Sequence, residues 1–227
     1  MRRRDLIAAA LASSIAPAAR AAPKSVVLEL FTSQGCSSCP PADALLGQLA
    51  RRSDVIALAW HVDYWDHLGW RDRFASPTAT DRQRTYARQL GSDVFTPALV
   101  VDGQTIVVGS DRAAIEAAIG SAGGLPVGIT LSRREGGITV EIAATTGPLR
   151  AERIVYDPQQ RTDIGAGEND GQRLREYHVV REAEMLAEWD GTARQLAAKL
   201  PGPGQGQVIL VRSASLQVVG AVDLPPG

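Results

Sequence analysis

The chain has 227 residues, 44% of them hydrophobic and 22% charged, with a formal net charge of −1. That balance fits a soluble globular protein long enough for two small domains. It excludes a bulk electrostatic case for binding nucleic acid or an anionic membrane surface.

The first residues read as an export signal and not as part of a fold. Arg2, Arg3 and Arg4 make a basic start, residues 6–18 are apolar or small but too few to span a bilayer, and Ala19-Arg20-Ala21 fits a cleavage site. Arg3-Arg4-Asp5-Leu6-Ile7 resembles a twin-arginine signal, with an ordinary Sec signal as the alternative. Both predict a periplasmic or secreted protein. Loss of residues 1–21 removes four arginines and one aspartate, which takes the net charge from −1 to −4. No later segment is long and uncharged enough for a membrane span, so the mature chain is expected to be free in solution.

A strand is expected at 25–31, a β-branched and apolar run that contains one acid, Glu29. A turn follows at 32–35, then a helix at 40–49, where Pro40 and Pro41 are tolerated because the first helical turn has no N–H partners to lose. The only two cysteines, Cys36 and Cys39, fall between strand and helix. A disulfide across so short a loop constrains the unfolded chain little, so it is a poor staple. A zinc site would want a second pair of ligands. Redox chemistry or soft-metal binding remains. Helix-terminal N–H groups favour a thiolate at Cys36, the expected attacking sulfur, with Cys39 inside the helix as the resolving one. Glu29, if buried, would have a raised pKa and could pass a proton to Cys39; if not, it faces solvent or is paired structurally.

A second strand is expected at 55–62. It opens a dense segment, 60–72, that holds Trp60, Trp65, Trp70, His61, His67, Asp63, Asp66 and Asp72. His61 and Asp63 would share a strand face by period two. The segment could bind a metal, serve acid–base chemistry near the cysteines, or pack as an ordered aromatic loop. A helix follows at 80–90. Thr96-Pro97 then opens a strand that ends in the hairpin turn Asp102-Gly103, with a return strand at 106–108 and a helix at 111–119 capped by Ser110. This order is thioredoxin-like. In such a fold Pro97 would be cis and would keep the backbone before it extended for pairing with a substrate strand.

Beyond the glycine-rich break at 120–124 the pattern turns to strands, at 128–132, 138–142, 152–156, 173–180, 207–212 and 217–222, with one short helix at 192–200. The polar run 167–171 contains Gly167, Glu168, Asn169, Asp170 and Gly171; its glycines allow positive φ, and it reads as a tight loop or as a contact to a cation or to the first domain. The predicted fold class is α/β: a thioredoxin-like N-terminal domain at 22–122 and a β-rich, sandwich-like domain at 123–227.

Several motifs together resemble a secreted bacterial family of unknown function, domain of unknown function 1223, with a thioredoxin-like N-terminal half. They are the run from Glu29 to Asp43 around the cysteine pair, the 61–72 segment, Arg82-Gln83 with Tyr86, Thr96-Pro97, and Gly167-Glu168-Asn169 with Gly171. The resemblance implies the fold and export. It differs from thioredoxin proper in having Gly35 before Cys36 and Ser37-Ser38 between the cysteines.

The leading functional expectation is a thiol–disulfide oxidoreductase acting on protein thiols and disulfides of the cell envelope, without a cofactor or resident metal. Its site residues would be Cys36, Cys39, Pro97, Glu29 and His61. The alternatives are an envelope Cu(I) or soft-metal carrier, and a binding module with a permanent disulfide.

Overall fold

The computed structural model describes residues 25–227. The expected export signal at 1–21 lies outside the described residues. The fold is mixed α/β, dominated by one large sheet with few helices.

Strand β1 (Val26–Thr32) is buried along its whole length and pairs in parallel with β2 (Val55–His61). Helix α1 (Pro40–Leu49) connects them. On its other side β1 pairs antiparallel with β3 (Ala98–Val101), which turns at Asp102-Gly103 into β4 (Thr105–Val108). Helix α2 (Pro77–Leu90) starts earlier than its sequence pattern suggests. Ser76 caps it by accepting the Ala79 N–H at 3.2 Å, and Pro77 fits the first turn. Helix α3 (Arg112–Ser121) is capped by Asp111, not Ser110: the Asp111 carboxylate accepts the Ala114 N–H at 3.0 Å.

The second half adds β5 (Ile129–Arg134), β6 (Gly137–Ile142), β7 (Leu149–Asp163), β8 (Arg173–Trp189), β9 (Arg194–Ala198), β10 (Gly206–Ser213) and β11 (Val218–Leu224). The expected helix at 192–200 is the strand β9. Leu196 and Ala198 turn inward at period two and pair with Val140 and Ile138 of β6, so sheet pairing overrides the helix propensity of the alanines. The expected strands at 152–156 and 173–180 are parts of a much longer hairpin, β7–β8. Its arms are charged and half exposed, which hides them from an apolar-periodicity reading.

Strands from both sides of the expected boundary at 122/123 join one eight-stranded sheet, in the order β11-β10-β7-β8-β2-β1-β3-β4; β5, β6 and β9 form a separate three-stranded sheet. The seam between the halves is the parallel pairing of β2 with β8 at Ala59–Val179. The core crosses it too. Phe31, Leu58, Trp60 and Tyr86 pack with Ile154, Tyr156, Val208 and Leu210 on the α2 face. The opposite face buries Leu28 and Leu30 against Leu45, Leu46 and Leu49 of α1 and Ile115 of α3. A third core lies between β6 and the β7 and β10 strands, around Val140, Ile142, Ala151 and Val211.

Candidate functional site around the Cys36–Cys39 disulfide

Cys36 and Cys39 form a disulfide at the β1–α1 junction, and both are fully buried. Cys39 is the N-cap of α1, one position outside the helix where the sequence suggested it would lie. Its carbonyl accepts the Ala42 and Asp43 N–H groups, and its own N–H donates to the Cys36 carbonyl at 3.1 Å. The Ser38 hydroxyl lies 3.3 Å from Cys36 Sγ and donates to the Thr96 carbonyl at 3.5 Å. The Thr96–Pro97 peptide is cis. Gly109 packs where α1 and this loop converge; a Cβ there would stand 3.2 Å from both Ala42 and Pro97. The Thr96–Pro97 loop is therefore joined to the cysteine loop through Ser38.

Gly35 is explained by the 60–72 segment. A Cβ at Gly35 would come within 3.0 Å of Trp65 Cβ, so the glycine admits Trp65, whose indole N–H donates to Thr96 Oγ1 at 2.9 Å.

Glu29 does not adjoin the disulfide. It shares a strand face with Val27 and Phe31 and points at α2, whereas α1 covers the other face. There its carboxylate accepts from Arg82 Nε at 2.5 Å and from the Tyr86 hydroxyl. Arg82 also reaches Glu152 at 2.9 Å, and Arg212 of β10 pairs with Glu152. The Glu29 side chain is thus part of a brace between the two halves and not a partner of Cys39.

The buried acid nearest the cysteines along α1 is Asp43, whose N–H donates to the Cys39 carbonyl. It lies four residues after Cys39, on the same helix face, and is buried. Burial pushes its carboxyl up to about 7, against the lowering influence of His61 and the Thr32 hydroxyl. His61, at the end of β2 opposite Thr32 of β1, faces the same space. Its Nδ1 is 2.7 Å from Asp72 Oδ2, while Nε2 is buried with no partner among the described residues. Burial disfavours its charged form, but Asp72, Glu176 and Asp43 outweigh that and push His61 up to about 9. Burial would raise Asp72, yet His61 and the Gln34 and Phe74 N–H groups hold it below the usual carboxylate range. Asp63 does not join His61. β2 ends at His61, and Asp63 instead accepts from the Thr80 hydroxyl of α2 at 2.6 Å.

Gln34 ties these groups to the second half. Its side-chain amide donates to Glu176 Oε1 at 2.6 Å and Thr162 Oγ1 at 2.9 Å, and accepts from the Trp70 indole at 2.9 Å. Asn169 donates to the carbonyls of Gln34 and Cys36 at 2.9 and 3.1 Å, and Glu168 accepts the Ser37 N–H at 3.0 Å. Of the groups not expected in the site, the sequence offered a handle on one, the glycine-flanked run around Glu168. Among the described residues no group of three or more His, Cys, Asp or Glu is arranged to hold a metal ion.

A cleft of about 760 Å³ lies elsewhere, along residues 50–56, 123–130 and 221–223. Its ionisable groups are already engaged, Arg52 by Asp54 and Glu116 and Asp223 by Tyr156, so it gathers no convergent chemistry.

The family model for the protein of unknown function DUF1223 matches residues 27–212. The chain belongs to this family. A DUF1223 assignment carries no activity with it. Among solved structures, protein AGR_C_4864 of Agrobacterium tumefaciens is 32% identical with a TM-score of 0.79, over 92% of this chain and 97% of that one. HBP35 of Porphyromonas gingivalis shares the fold at 18% identity and a TM-score of 0.60, over 90% of this chain and 76% of that one. No curated protein matches this DUF1223 chain. No helix among its described residues is long and apolar enough to cross a membrane.

Proposed function

We propose that this protein is an exported thiol–disulfide oxidoreductase whose N-terminal part, 22–122, is a thioredoxin-like unit and whose reacting pair is Cys36 and Cys39. The observation that carries the reading is a disulfide at a strand–helix junction, beside the Thr96–Pro97 loop and one helical turn from a buried acid, Asp43. A redox pair needs a sulfur activated at a helix start and a proton acceptor for its partner. Export is supported by the basic, apolar and Ala-x-Ala order of residues 2–21.

The exchange runs as follows. A substrate thiolate attacks Cys36 Sγ and forms a mixed disulfide; the Cys36–Cys39 bond breaks, and Cys39 leaves with the electron pair and takes up a proton. Asp43 is the acid suited to exchange that proton, the role first expected of Glu29, with His61 and Asp72 setting its charge environment. A second substrate thiol then displaces Cys36, so the substrate is oxidised and the pair reduced; the reverse sequence reduces a substrate disulfide.

With the mature chain, Cys39→Ser should accumulate mixed disulfides through Cys36, and Cys36→Ser should form none. Absence of mixed disulfides from Cys39→Ser, with no insulin-reducing activity in the wild type, overturns the reading. N-terminal sequencing of the mature chain should start near Ala22. A second reading, a binding module with a permanent disulfide, is favoured by the full burial of both cysteines. A pair that stays oxidised against strong dithiols would select it.

A further inference from the structure

The turn between β7 and β8, residues 164–172, lies against the C-x-x-C loop. It is tightly built: the Ile164 N–H donates to the Gln172 carbonyl and the Gly171 N–H to the Ile164 carbonyl, each at 2.9 Å, with Gly167 and Gly171 both at φ +76°. Its contacts with the cysteine loop are specific. Glu168 accepts the Ser37 N–H, and buried Asn169 holds the carbonyls of Gln34 and Cys36. The Asn169 side chain is itself fixed by Gln172 at 3.2 Å.

We propose that Glu168 is a built-in anion that holds this turn on the oxidised pair and competes with a Cys36 thiolate for the Ser37 N–H, so that reduction and release of the turn are coupled. The significance of this coupling rests on the redox reading of the pair.

The amide donors of Ser37 and Ser38 are the ones at this helix start not spent on backbone carbonyls. Pro40 and Pro41 carry no N–H, and that of Cys39 goes to the Cys36 carbonyl. The Ser37 N–H therefore matters, and Glu168 takes it. In the oxidised pair the sulfurs are neutral, so no charge on Cys36 opposes the exposed Glu168 carboxylate at the helix start. The Ser37 hydrogen bonds hold the Glu168 carboxyl below its ordinary range, so it is an anion at neutral pH. Reduction by a dithiol adds two electrons and two protons: the dithiol becomes a disulfide, the Cys36–Cys39 bond breaks, and Cys36 then loses its proton to solvent. Two anions now share one field. The buried charged cluster on the same side of the sheet holds Asp43 of α1, Asp72 and Glu176 of β8, with His61 of β2 as the cation among them. By linkage, whatever Cys36 ionisation costs the Glu168 contact, the contact costs Cys36 ionisation equally.

The test compares the full mature chain with Glu168→Gln and Asn169→Ala. Glutamine keeps an oxygen for the Ser37 N–H and removes only the charge. Two quantities are read: the dithiol–disulfide equilibrium of the pair against glutathione, and the Cys36 pKa from thiolate absorbance. Glu168→Gln should shift the equilibrium toward the dithiol about twofold to fivefold and lower the Cys36 pKa, with both effects shrinking in high salt. Asn169→Ala, which keeps the carboxylate, should speed reduction by dithiothreitol and move the pKa less. An unchanged pKa and equilibrium in Glu168→Gln overturns the proposal, as does a faster reduction with no pKa change, which would make the turn a steric cover only. If Glu168→Gln shifts both while Cys39→Ser traps nothing, the coupling stands and the oxidoreductase reading falls.

Discussion

Two buried ionic clusters lie on opposite faces of the same sheet and are built on different charge arithmetic. On the α2 face, Glu29 and Glu152 meet Arg82 and Arg212, so two carboxylates balance two guanidinium groups. Burial would raise Glu152, but Arg82 and Arg212 hold it below the usual carboxylate range. On the α1 face, Asp43, Asp72 and Glu176 meet a single ring, His61. Burial pushes the Asp43 carboxyl up to about 7, so this cluster takes up a proton within the neutral range. Balanced permanent charge makes a brace, and unbalanced charge makes a titrating site. The cysteine pair lies at the start of α1, on the side of the sheet that carries the titrating one.

Breaking the brace should have the largest effect. Arg82→Met leaves Glu29 and Glu152 buried without their shared cation and should cost about 3–5 kcal/mol in urea unfolding. A loss as small as that of an exposed arginine would mean that the brace carries no load.

The next test concerns pH. Asp43 has an ordinary value of 3.8 and a folded value of about 7, so the unfolded chain releases this proton first and Asp43 lowers stability as pH rises from about 4 to 7. His61, raised from 6.5 to about 9, contributes stability that is complete below 6.5 and lost as pH rises through 9. Asp43→Asn should therefore flatten the fall in urea midpoint between pH 4 and 7 and leave the alkaline fall in place. An identical slope in wild type and variant would show that the α1-face cluster does not titrate. As the low end of the scale, Arg173→Ala removes the exposed pair with Asp163 and should leave the midpoint unchanged.

The difference between the faces also explains what could be read in the sequence. The cysteine pair, its flanking strand and helix and the Thr96-Pro97 hairpin are local patterns, and local patterns are legible. Glu29 misled because an acid in an apolar strand announces burial but not which face it takes. Asp43 was silent because an acid in a first helical turn is ordinary on dipole grounds. Its burial comes from β8, more than a hundred residues on, which lays Tyr177 against Gly47 and brings Glu176 to the cluster. The long β7–β8 hairpin was illegible for the same reason: its outer residues are charged, and only pairing with distant strands makes them a sheet.

The shared core has a consequence for the order of events during synthesis. Phe31, Trp60 and Tyr86 emerge early, but the side chains that cover them, Val208, Leu210 and Val218 among them, emerge last. The turn bearing Glu168 and Asn169 also follows the cysteines by some 130 residues. The nascent N-terminal half therefore waits, with an unfinished apolar surface, for nearly the whole chain. The loop carrying Cys36 and Cys39 stays without its cover until the turn bearing Glu168 and Asn169 has been made.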